Sequence, residues 1–598
     1  MVRAGEEETE RKTPDSVLAR KMLRFLKPYS ARIYLSLFLI LLGTIFATLG
    51  PYILSLVVNS AIYSKDTQGL IFLSLVFLGI QLLDWIAGSV RTYVIGSLAD
   101  TTLKDIRHEV FQKLQTLSLD YYSKRQVGWL FSRVISDVST VNNLVASGLL
   151  TSLSDLLLVT GMTIAMLILS PIMTLVALSM VPVVVFFSLA FAKQARDRFR
   201  VSRRKIASVS SEVQQSITGI RVIKAFSQEE QSQRNFERAN VQYVEAEMSA
   251  AVVMASFRPV AELIEAVDMG LILLVGGYEV VSGALLVGTL LAFVTYASRF
   301  FWPVREITFL YNNLQEAMAA SERILEVLET QPTITDDPEA IDAPQHIRNV
   351  EFANVSFEYQ SGLEVLKDIT LTIREKEKVA VVGPTGAGKT TLSSLLVRFY
   401  DPTRGAISIN GTDIRKLKVR TLRRRIVLVP QEPFLFSGTI MDNLRYGRPD
   451  ASDEEILQAT KELKLDSFIG SLENGYETEV LEGGLGLSVG QKQLISIARA
   501  FIADPSIVVF DEAMSSIDPN TEQTIIGAMR KLLENRTALI IAHRISTIVD
   551  ADRILVMDVG KIVEEGSHSD LMALGGLYSK LYTTLLLGEE QAVATPRE

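Results

Sequence analysis

Apolar residues dominate the first half of the chain, and polar residues are interleaved with them only after about residue 320. Several stretches of the first half are long and apolar enough to cross about 30 Å of hydrocarbon as helices. We place six of them near residues 33–62, 70–98, 145–170, 172–195, 250–281 and 285–308. The third and fourth meet at Ser170-Pro171, which leaves almost no loop. Because a series of such long stretches is improbable for buried core helices, the pattern predicts an all-α, six-helix transmembrane domain.

The second half has a different pattern. A proline-containing segment at residues 330–346 predicts a linker. Short apolar runs, such as 350–359 and 371–382, then alternate with helix-forming segments to about residue 583, which predicts an α/β domain. The expected domains are a tail with an interfacial helix at 1–31, a membrane domain at 32–328, a linker at 329–346, an α/β domain at 347–583 and a C-terminal tail at 584–598.

The first 31 residues are charged and lack the apolar core of a cleaved signal peptide. Within them an apolar stripe at helical spacing is surrounded by basic residues, which predicts a helix lying at the membrane interface. The stripe consists of Val17, Leu18, Met22, Phe25 and Leu26. The alternative is a surface helix of a soluble domain. We also expect no peptidase domain before residue 31, and therefore no processing of leader peptides.

Two long connections, 99–144 and 196–249, are rich in Lys and Arg, whereas the loops on the other side of the predicted membrane contain little more than Lys65. This bias places both connections and both termini in the cytoplasm. Run down and back as helices, the connections would extend roughly 30 Å beyond the bilayer, at about 1.5 Å per residue. Their tips, near Leu119–Leu130 and Gly219–Glu229, mix apolar and charged residues, as a docking tip would. An independently folded cytoplasmic loop is the alternative.

Ionisable residues occur inside the predicted spans, where an isolated charge is costly. They are Asp84 and Arg91 in the second span, Glu262, Glu265 and Asp268 in the fifth, and Arg299 in the sixth. The acidic residues of the fifth span are three apart, so they lie on neighbouring positions of one helical face. Two interpretations stay open: a wet cavity wall that meets a polar or cationic cargo, or structural pairing such as Arg258 with Glu262.

Composition excludes several classes of function. The formal net charge of the 598 residues is −8, which does not favour a nucleic-acid partner, because binding to a phosphate backbone requires a basic face. The chain contains no cysteine, so disulfides, thiolate metal sites and thiol nucleophiles are excluded. With 4 histidines, a multi-histidine metal site is not expected either.

Residues 383–391 fit the phosphate-binding loop pattern G-x-x-x-x-G-K-[ST], between an apolar strand and a helix-forming segment. They are Gly383, Pro384, Thr385, Gly386, Ala387, Gly388, Lys389, Thr390 and Thr391. The glycines allow backbone N–H groups to approach phosphates closely, and the following helix adds the positive end of its dipole. We expect Lys389 to reach the β- and γ-phosphates and Thr390 to bind Mg²⁺ through its hydroxyl.

Three further residues follow apolar strands at suitable distances along the chain. Asp511 ends the run 507–510 and can bind Mg²⁺, and Glu512 is placed to polarise the attacking water as general base. His543 follows the apolar run 538–542 and can reach the γ-phosphate. The sequence therefore predicts a site for ATP and Mg²⁺ that carries out hydrolysis.

Several segments resemble the ATP-binding cassette (ABC) proteins. The stretch Leu487, Ser488, Val489, Gly490, Gln491 resembles the signature loop, with Val489 where glycine is commonest. Gln431 resembles the loop glutamine that senses Mg²⁺, Tyr359 resembles the aromatic residue that stacks on adenine, and Asp518 resembles the aspartate of the loop that crosses the dimer interface. Residues 219–226 and 133–138 are similar to intracellular-loop segments of ABC exporters. The resemblance covers residues ~20 to ~583.

This resemblance implies a half-transporter of the exporter type, with one membrane domain before one ATPase domain. In that family the phosphate loop of one ATPase domain faces the signature of another, so it implies a dimer: a homodimer is the simplest form, and a heterodimer is the alternative. The implied function is ATP-driven export of a drug, lipid or peptide across a membrane, in this case a prokaryotic plasma membrane. Import of a ligand such as a siderophore, or an ATP-gated channel, are the alternatives.

Overall fold

The computed structural model describes residues 14–62, 65–359, 362–511, 519–542 and 548–584. Its contacts divide the chain into two compact units. The first unit comprises Met1–Gln115 and Gln126–Thr330, and the second comprises Thr116–Arg125 and Gln331–Glu598. A short segment of the first predicted cytoplasmic connection therefore belongs, by its contacts, with the C-terminal half of the chain.

The described part of the first unit is helical. Its α-helices are α1 (Asp15–Leu26), α2 (Ser30–Leu56) and α3 (Thr67–Thr116), then, after α4 (Leu119–Ser123) of the second unit, α5 (Val127–Ser132), α6 (Val138–Asn143), α7 (Leu150–Leu169), α8 (Pro171–Leu178), α9 (Val181–Thr218), α10 (Ile220–Ala225), α11 (Glu229–Val281) and α12 (Val287–Glu329). Wider π-helical turns at Val57–Ile62, Arg133–Asp137 and Leu144–Leu149 continue or join them.

The N-terminal stripe lies on α1, as its spacing predicts, but much of it packs against protein. Leu18, Met22 and Phe25 are buried, whereas Val17 is exposed. Near the end of this helix the guanidinium of Arg24 binds the Glu109 carboxylate of α3. The helix is therefore held by the membrane unit, with only part of its apolar surface left for lipid.

The described residues contain four helices long and apolar enough to cross a membrane: Ser16–Ile62, Thr67–Thr116, Val127–Leu169 and Pro171–Thr218. The predicted fifth span lies within the continuous helix α11, and the sixth lies within α12 except for its first two residues, but these helices are not among the four. Ionisable side chains within their apolar stretches, such as Asp268 and Arg299, make a helix less suited to hydrocarbon. These two spans stay predictions.

The junction between the third and fourth predicted spans is as tight as the sequence indicates. Helix α7 ends at Leu169, and α8 begins two residues later at Pro171. Ser170 has extended backbone angles, and its hydroxyl accepts a hydrogen bond from the Met173 N–H at 3.3 Å. The first turn of a helix tolerates proline, because a backbone N–H at that position would have no intrahelical partner. A single non-helical serine thus separates the two helices.

Helices α9 and α11 form a long antiparallel hairpin, which reverses at α10 between Thr218 and Glu229, where the second tip is predicted. Apolar and polar contacts alternate along it. The rings of Phe187 and Phe257 stack with centroids 5.6 Å apart, and the Ser202 hydroxyl donates to Glu247 at 2.5 Å. With 38 residues, α9 is roughly 57 Å long at about 1.5 Å per residue, so it extends well beyond a hydrocarbon core.

The second unit contains two main sheets. Its strands are β1 (Asn349–Glu358), β2 (Glu364–Arg374), β3 (Lys378–Val382), β4 (Arg404–Ile409), β5 (Thr412–Asp413), β6 (Ile426–Val429), β7 (Gly438–Thr439), β8 (Glu479–Val480), β9 (Ile507–Asp511), β10 (Thr537–Ile541), β11 (Arg553–Asp558) and β12 (Lys561–Gly566). Among the described residues, one sheet has the order β2-β1-β4-β5 and is antiparallel. The other has the order β12-β11-β3-β10-β9-β6, parallel except at its β12 edge.

Helices of the second unit connect and cover these strands. They are α4 (Leu119–Ser123), α13 (Lys389–Leu396), α14 (Val419–Arg425), α15 (Ile440–Arg445), α16 (Asp453–Glu462), α17 (Asp466–Gly470), α18 (Val489–Ala503), α19 (Pro519–Leu533) and α20 (His568–Leu574).

The parallel sheet is buried on both faces, which explains its continuous apolar strands. In β9, Val508 and Phe510 belong to one hydrophobic core, and Val509 belongs to the other, on the opposite face. Strand β3 alternates in the same way, with Ala380 on the first side and Val381 on the second. The predicted α/β fold is confirmed, and its carboxyl edge gathers the ends of β3, β9 and β10.

Candidate functional site

The loop between β3 and α13 has the shape that its glycines allow. Gly383 and Gly388 have φ angles of 154° and 99°, in the region that L-residues with a Cβ rarely adopt. A Cβ on Gly383 would lie 2.2 Å from the Met557 carbonyl oxygen, and one on Gly388 would lie 2.7 Å from a Leu366 methyl carbon. The loop therefore curls closely against neighbouring strands, a shape compatible with the predicted phosphate cradle.

Lys389 begins the helix after this loop and folds back over it. The side chain is buried, and its ammonium donates to the carbonyls of Gly383 at 2.7 Å and Pro384 at 3.0 Å. Burial lowers the pKa of Lys389, and the Asp511 carboxylate nearby acts in the opposite direction. A desolvated cation held above a loop of backbone N–H groups is suited to bind an anion with several negative oxygens.

Asp511 lies at the same edge of the sheet. It is the last residue of β9, it is 8% exposed, and it pairs in register with Ile541 of β10, which in turn pairs with Val381 of β3. The parallel pairing of three strands thus brings the end of β9 close to the phosphate loop. Three other residues predicted for this edge, Glu512, Asp518 and His543, lie outside the described residues.

Tyr359 lies beside the last residue of the phosphate loop. Its ring is 41% exposed and stands edge-on to Phe357 and Tyr400, with centroids 4.8 and 5.2 Å away. Its hydroxyl is 3.1 Å from the Thr391 hydroxyl, which ties the ring to the helix that follows the loop. A cavity of about 500 Å³ opens beside it, with Asp120 of α4 among its lining residues. A flat base can stack on this ring while its phosphates reach Lys389.

The predicted signature residues form the start of α18. Ser488 caps the helix: its hydroxyl accepts from the Gln491 N–H at 3.2 Å, and its own N–H donates to the Gln491 side chain at 2.9 Å. Val489 is exposed, whereas Gly490 is buried. In the described chain, no hydrogen bond or ion pair joins residues 487–491 to residues 383–391. The signature is therefore a separate helix N-terminus, which can meet phosphate from another molecule.

Gln431 follows β6 and is exposed, and the segment after it is held by a residue that the sequence analysis missed. Arg499 of α18 donates to the Phe434 and Asn443 carbonyls, both at 2.6 Å, and also binds the Asn443 side chain. Burial lowers the pKa of this guanidinium. Arg499 thereby links the signature helix to the segment after Gln431. Because its partners are distant in sequence, the amphipathic pattern of α18 does not indicate that Arg499 makes these contacts.

The charges predicted for a membrane cavity do not lie together. Asp84 and Arg299 line a cavity of about 390 Å³ in the first unit, and they share it with Arg91 and Asp155. Asp155 is not among the predicted residues, although it is a carboxylate within an apolar stretch and so carries the same signal as Asp84.

The three acidic residues of α11 lie in different surroundings. Glu262 pairs with Arg258 at 2.7 Å on an exposed face, as the structural interpretation predicts. Glu265 lines a smaller cavity of about 270 Å³ together with Ala297 and other residues. Asp268 is fully buried, and neither of its carboxylate oxygens has a hydrogen-bond partner among the described residues. Helical spacing predicted one face, but packing separates these residues.

Two protein families match the chain in series. Residues 33–304 match the ABC transporter transmembrane region, and residues 366–515 match the ABC transporter family of ATP-binding domains. The uncharacterized ABC transporter ATP-binding protein YknV of Bacillus subtilis (strain 168) is 38% identical over 94% of this chain and 93% of its own length. The ATP-dependent lipid A-core flippase of Desulfotalea psychrophila is 32% identical over 94% of this chain and 99% of its own length.

A solved structure has the same architecture. The structure of a bacterial Atm1-family ABC exporter with ATP bound superposes with a TM-score of 0.76 and 28% sequence identity. The match covers 93% of this chain and 99% of the other chain. The similarity thus includes both the helical unit and the α/β unit.

Proposed function

We propose that this chain, which belongs to the ABC transporter family, exports a hydrophobic or amphipathic substrate as a dimer that alternates access across the membrane. The chain is an integral membrane protein of the exporter type, and its ATP-binding domain hydrolyses ATP in a cycle coupled to transport. The observation that carries the proposal is Lys389, buried and poised over the phosphate loop at the edge where Asp511 ends its strand.

The residues of this edge fit a nucleotide with Mg²⁺. Thr390 and Asp511 supply hydroxyl and carboxylate oxygens, the ligand type that Mg²⁺ prefers. When bound, the ion would neutralise charge that develops on the phosphates. Lys389 would hold the β- and γ-phosphates, and Tyr359 would stack on the base. We assign Glu512 as the base that orients the attacking water, with His543 and Gln431 beside the γ-phosphate.

We infer that two copies share each ATP. The signature start at Ser488–Gly490 is a capped helix N-terminus, and it has no bond to the phosphate loop of its own chain among the described residues. One copy carries both the loop and the signature, so a homodimer would form two complete sites. Asp518 would lie at the interface between the copies. A heterodimer remains the alternative.

The tip of the first cytoplasmic connection, near Leu119–Leu130, would transmit movement of the ATPase domain to the membrane domain. Helix α3 runs without interruption from Thr67 to Thr116, where the chain enters the second unit. There the Ser118 hydroxyl accepts from the Ile334 N–H at 2.9 Å, and the Thr333 hydroxyl donates to Asp120 at 3.0 Å. Movement of the ATPase domain would therefore pull on the end of a helix that continues into the predicted membrane span.

The cargo class and orientation are also proposals. A membrane unit with a cavity of about 390 Å³ that combines apolar and charged lining suits an amphipathic drug, lipid or peptide. A flippase for lipid A-core among the relatives supports the lipid class. The basic connections favour an ATPase domain and both termini in the cytoplasm. The bacterial relatives favour a prokaryotic plasma membrane.

Transport into inside-out vesicles tests the proposal. Vesicles that contain the wild-type protein should accumulate a fluorescent amphiphile in the presence of ATP and Mg²⁺, and those with Lys389→Ala should not. Lys376→Ala, on an exposed turn before β3, is the matched control and should transport normally. Equal accumulation with Lys389→Ala would refute ATP-driven transport by this site. ATP-dependent loss of probe from loaded vesicles would support import instead.

A further inference from the structure

The cavity of about 390 Å³ in the membrane unit is built by four helices and holds charges of both signs. Helix α3 contributes Asp84 and Arg91, α7 contributes Asp155, and α12 contributes Arg299. Gly43 and Thr44 of α2 complete the wall, with Leu158, Trp302 and Pro303 as apolar and aromatic lining. The two carboxylates and two guanidiniums have a formal net charge of zero.

These charges face the cavity without pairing with one another. In the described part of the chain, neither carboxylate has an ion pair or hydrogen bond, and Arg299 has none either. Arg91 is anchored through one nitrogen, which donates to the Ser154 hydroxyl at 2.8 Å. Ionisable groups inside a membrane domain are costly unless a partner or a wet cavity compensates them. Arg91 and Arg299 lie near enough to act electrostatically on Asp84, and Arg91 on Asp155. No direct ion pair joins these four residues in the described chain, so their hydrogen-bonding groups stay available to a ligand.

We propose that this cavity binds the zwitterionic headgroup of an amphiphile, a refinement that rests on the proposed function of amphiphile export. Asp84 and Asp155 would bind the cationic group, and Arg91 and Arg299 would bind the anionic group. A guanidinium presents a planar fork that matches phosphate or carboxylate oxygens.

Ligands of a single charge fit this cavity less well. A purely cationic cargo would give the guanidiniums no direct partner, a purely anionic cargo would give the carboxylates none, and a neutral cargo would offer a charged partner to neither pair. The exposed ring of Trp302 provides an aromatic surface for a quaternary ammonium or for the start of an alkyl chain. Zwitterionic headgroups occur both on membrane lipids and on soluble amphiphiles, and the experiment separates these two sources.

The test uses the full-length protein in nanodiscs of uncharged glycolipid and measures ATPase stimulation below micellar concentrations. Four probes share a dodecyl chain: dodecylphosphocholine, dodecyltrimethylammonium, dodecyl phosphate and dodecyl maltoside. The zwitterion should stimulate several-fold more than the other three. Asp155→Asn should shift the preference towards dodecyl phosphate, and Arg299→Gln should shift it towards dodecyltrimethylammonium. Glu245→Gln and Arg238→Gln, exposed on the cytoplasmic arm, are matched controls that should keep the wild-type preference.

Opposite shifts in the two cavity variants are a result that a merely structural role would not give. An equal response to all four probes, or an unchanged preference in both variants, overturns the proposal. If basal ATPase activity is present and is lost with Lys389→Ala while no preference appears, only the cavity proposal fails. Absence of basal ATPase activity refutes the proposed function itself.

Once the preference for the zwitterion is established, two further experiments identify the source of the headgroup. Stimulation by phosphatidylcholine built into the nanodisc identifies a lipid already in the bilayer. Stimulation by added dodecylphosphocholine but not by bilayer phosphatidylcholine identifies an amphiphile that enters from solution.

Discussion

The phosphate loop and the membrane cavity both contain charged side chains, but they satisfy those charges differently. Lys389 donates to two backbone carbonyls of its own loop, within a segment of nine residues. In the cavity, Asp84, Asp155 and Arg299 come from three helices and share no ion pair in the described chain. The predicted ATP site is therefore largely preformed by local sequence, whereas on our proposal the charges of the cavity gain direct partners only when a ligand binds. This difference explains why one site has a motif and the other has none.

The largest effect is expected where the chemistry depends on one carboxylate. Glu512→Gln should keep ATP binding, because the phosphate loop is intact, but should lower turnover by about 10²–10⁴-fold, the usual contribution of a general base. ATP binding and steady-state hydrolysis should be measured in the same preparation. Glu534→Gln, an exposed change on the same domain, is the control. Hydrolysis at the wild-type rate by Glu512→Gln would contradict the assignment.

A substitution at a glycine of the phosphate loop tests whether the local backbone preforms the predicted ATP site. Gly383→Ala should destabilise the loop by about 1–3 kcal/mol, because a Cβ would lie 2.2 Å from the Met557 carbonyl oxygen and the residue would keep a φ of 154°. Nucleotide affinity and the thermal stability of the ATPase domain should both fall. Gly527→Ala, in a helix where nothing lies within 4 Å, should be neutral or stabilising. Equal stability of the two variants would show that the loop is not close-packed.

The link from the signature helix to the segment after Gln431 should also be measurable. Arg499→Lys keeps the charge but loses the forked donor to Phe434 and Asn443, so about 2–3 kcal/mol of stability should be lost, as for hydrogen bonds to a charged group. Thermal unfolding and ATPase rate are the measurements. Arg424→Lys, on an exposed position of α14, should change neither. An unperturbed Arg499→Lys protein would argue against this linkage.

The smallest effect is expected at Glu262. Its pair with Arg258 lies on an exposed face, and exposed pairs contribute about 0–1 kcal/mol. Glu262→Gln should therefore leave stability and cargo preference nearly unchanged, in contrast to Asp155→Asn. The same fluorescent-amphiphile assay compares the two variants. A selective loss of cationic cargo with Glu262→Gln would instead favour a cargo-binding role for this face.

The sequence predicts a site well when the residues that form it are close together along the chain. The nine residues of the phosphate loop are contiguous, and Asp511 ends an apolar run, so both were predicted. Arg499 is 56 residues from Asn443 in the chain, and only the packing of α18 brings them together. Asp155 could not be assigned to the cavity, because the sequence does not indicate where a single carboxylate in an apolar stretch points or which residues surround it.

The helical unit illustrates the same limit. Helical periodicity predicts that the acidic residues of α11 share one face. In the structure each has a different environment, because neighbouring helices pack unequally around that face. The apolar stripe of α1 was predicted to lie on lipid, yet Leu18, Met22 and Phe25 are buried within the protein. Amphipathicity identifies the helix and its apolar side, but it does not identify what covers that side.

The central claim is that each ATP is shared by two copies of the chain, and complementation tests it most directly. Lys389→Ala disables the phosphate loop, and Ser488→Arg disables the signature start. Each variant alone should be inactive. When they are mixed as subunits, a mixed dimer should contain one intact composite site, and activity should recover to at most about a quarter of the wild-type value if the subunits pair at random. If both variants are folded and mixed dimers form, yet no activity returns, the account of a shared site that works once complete is contradicted.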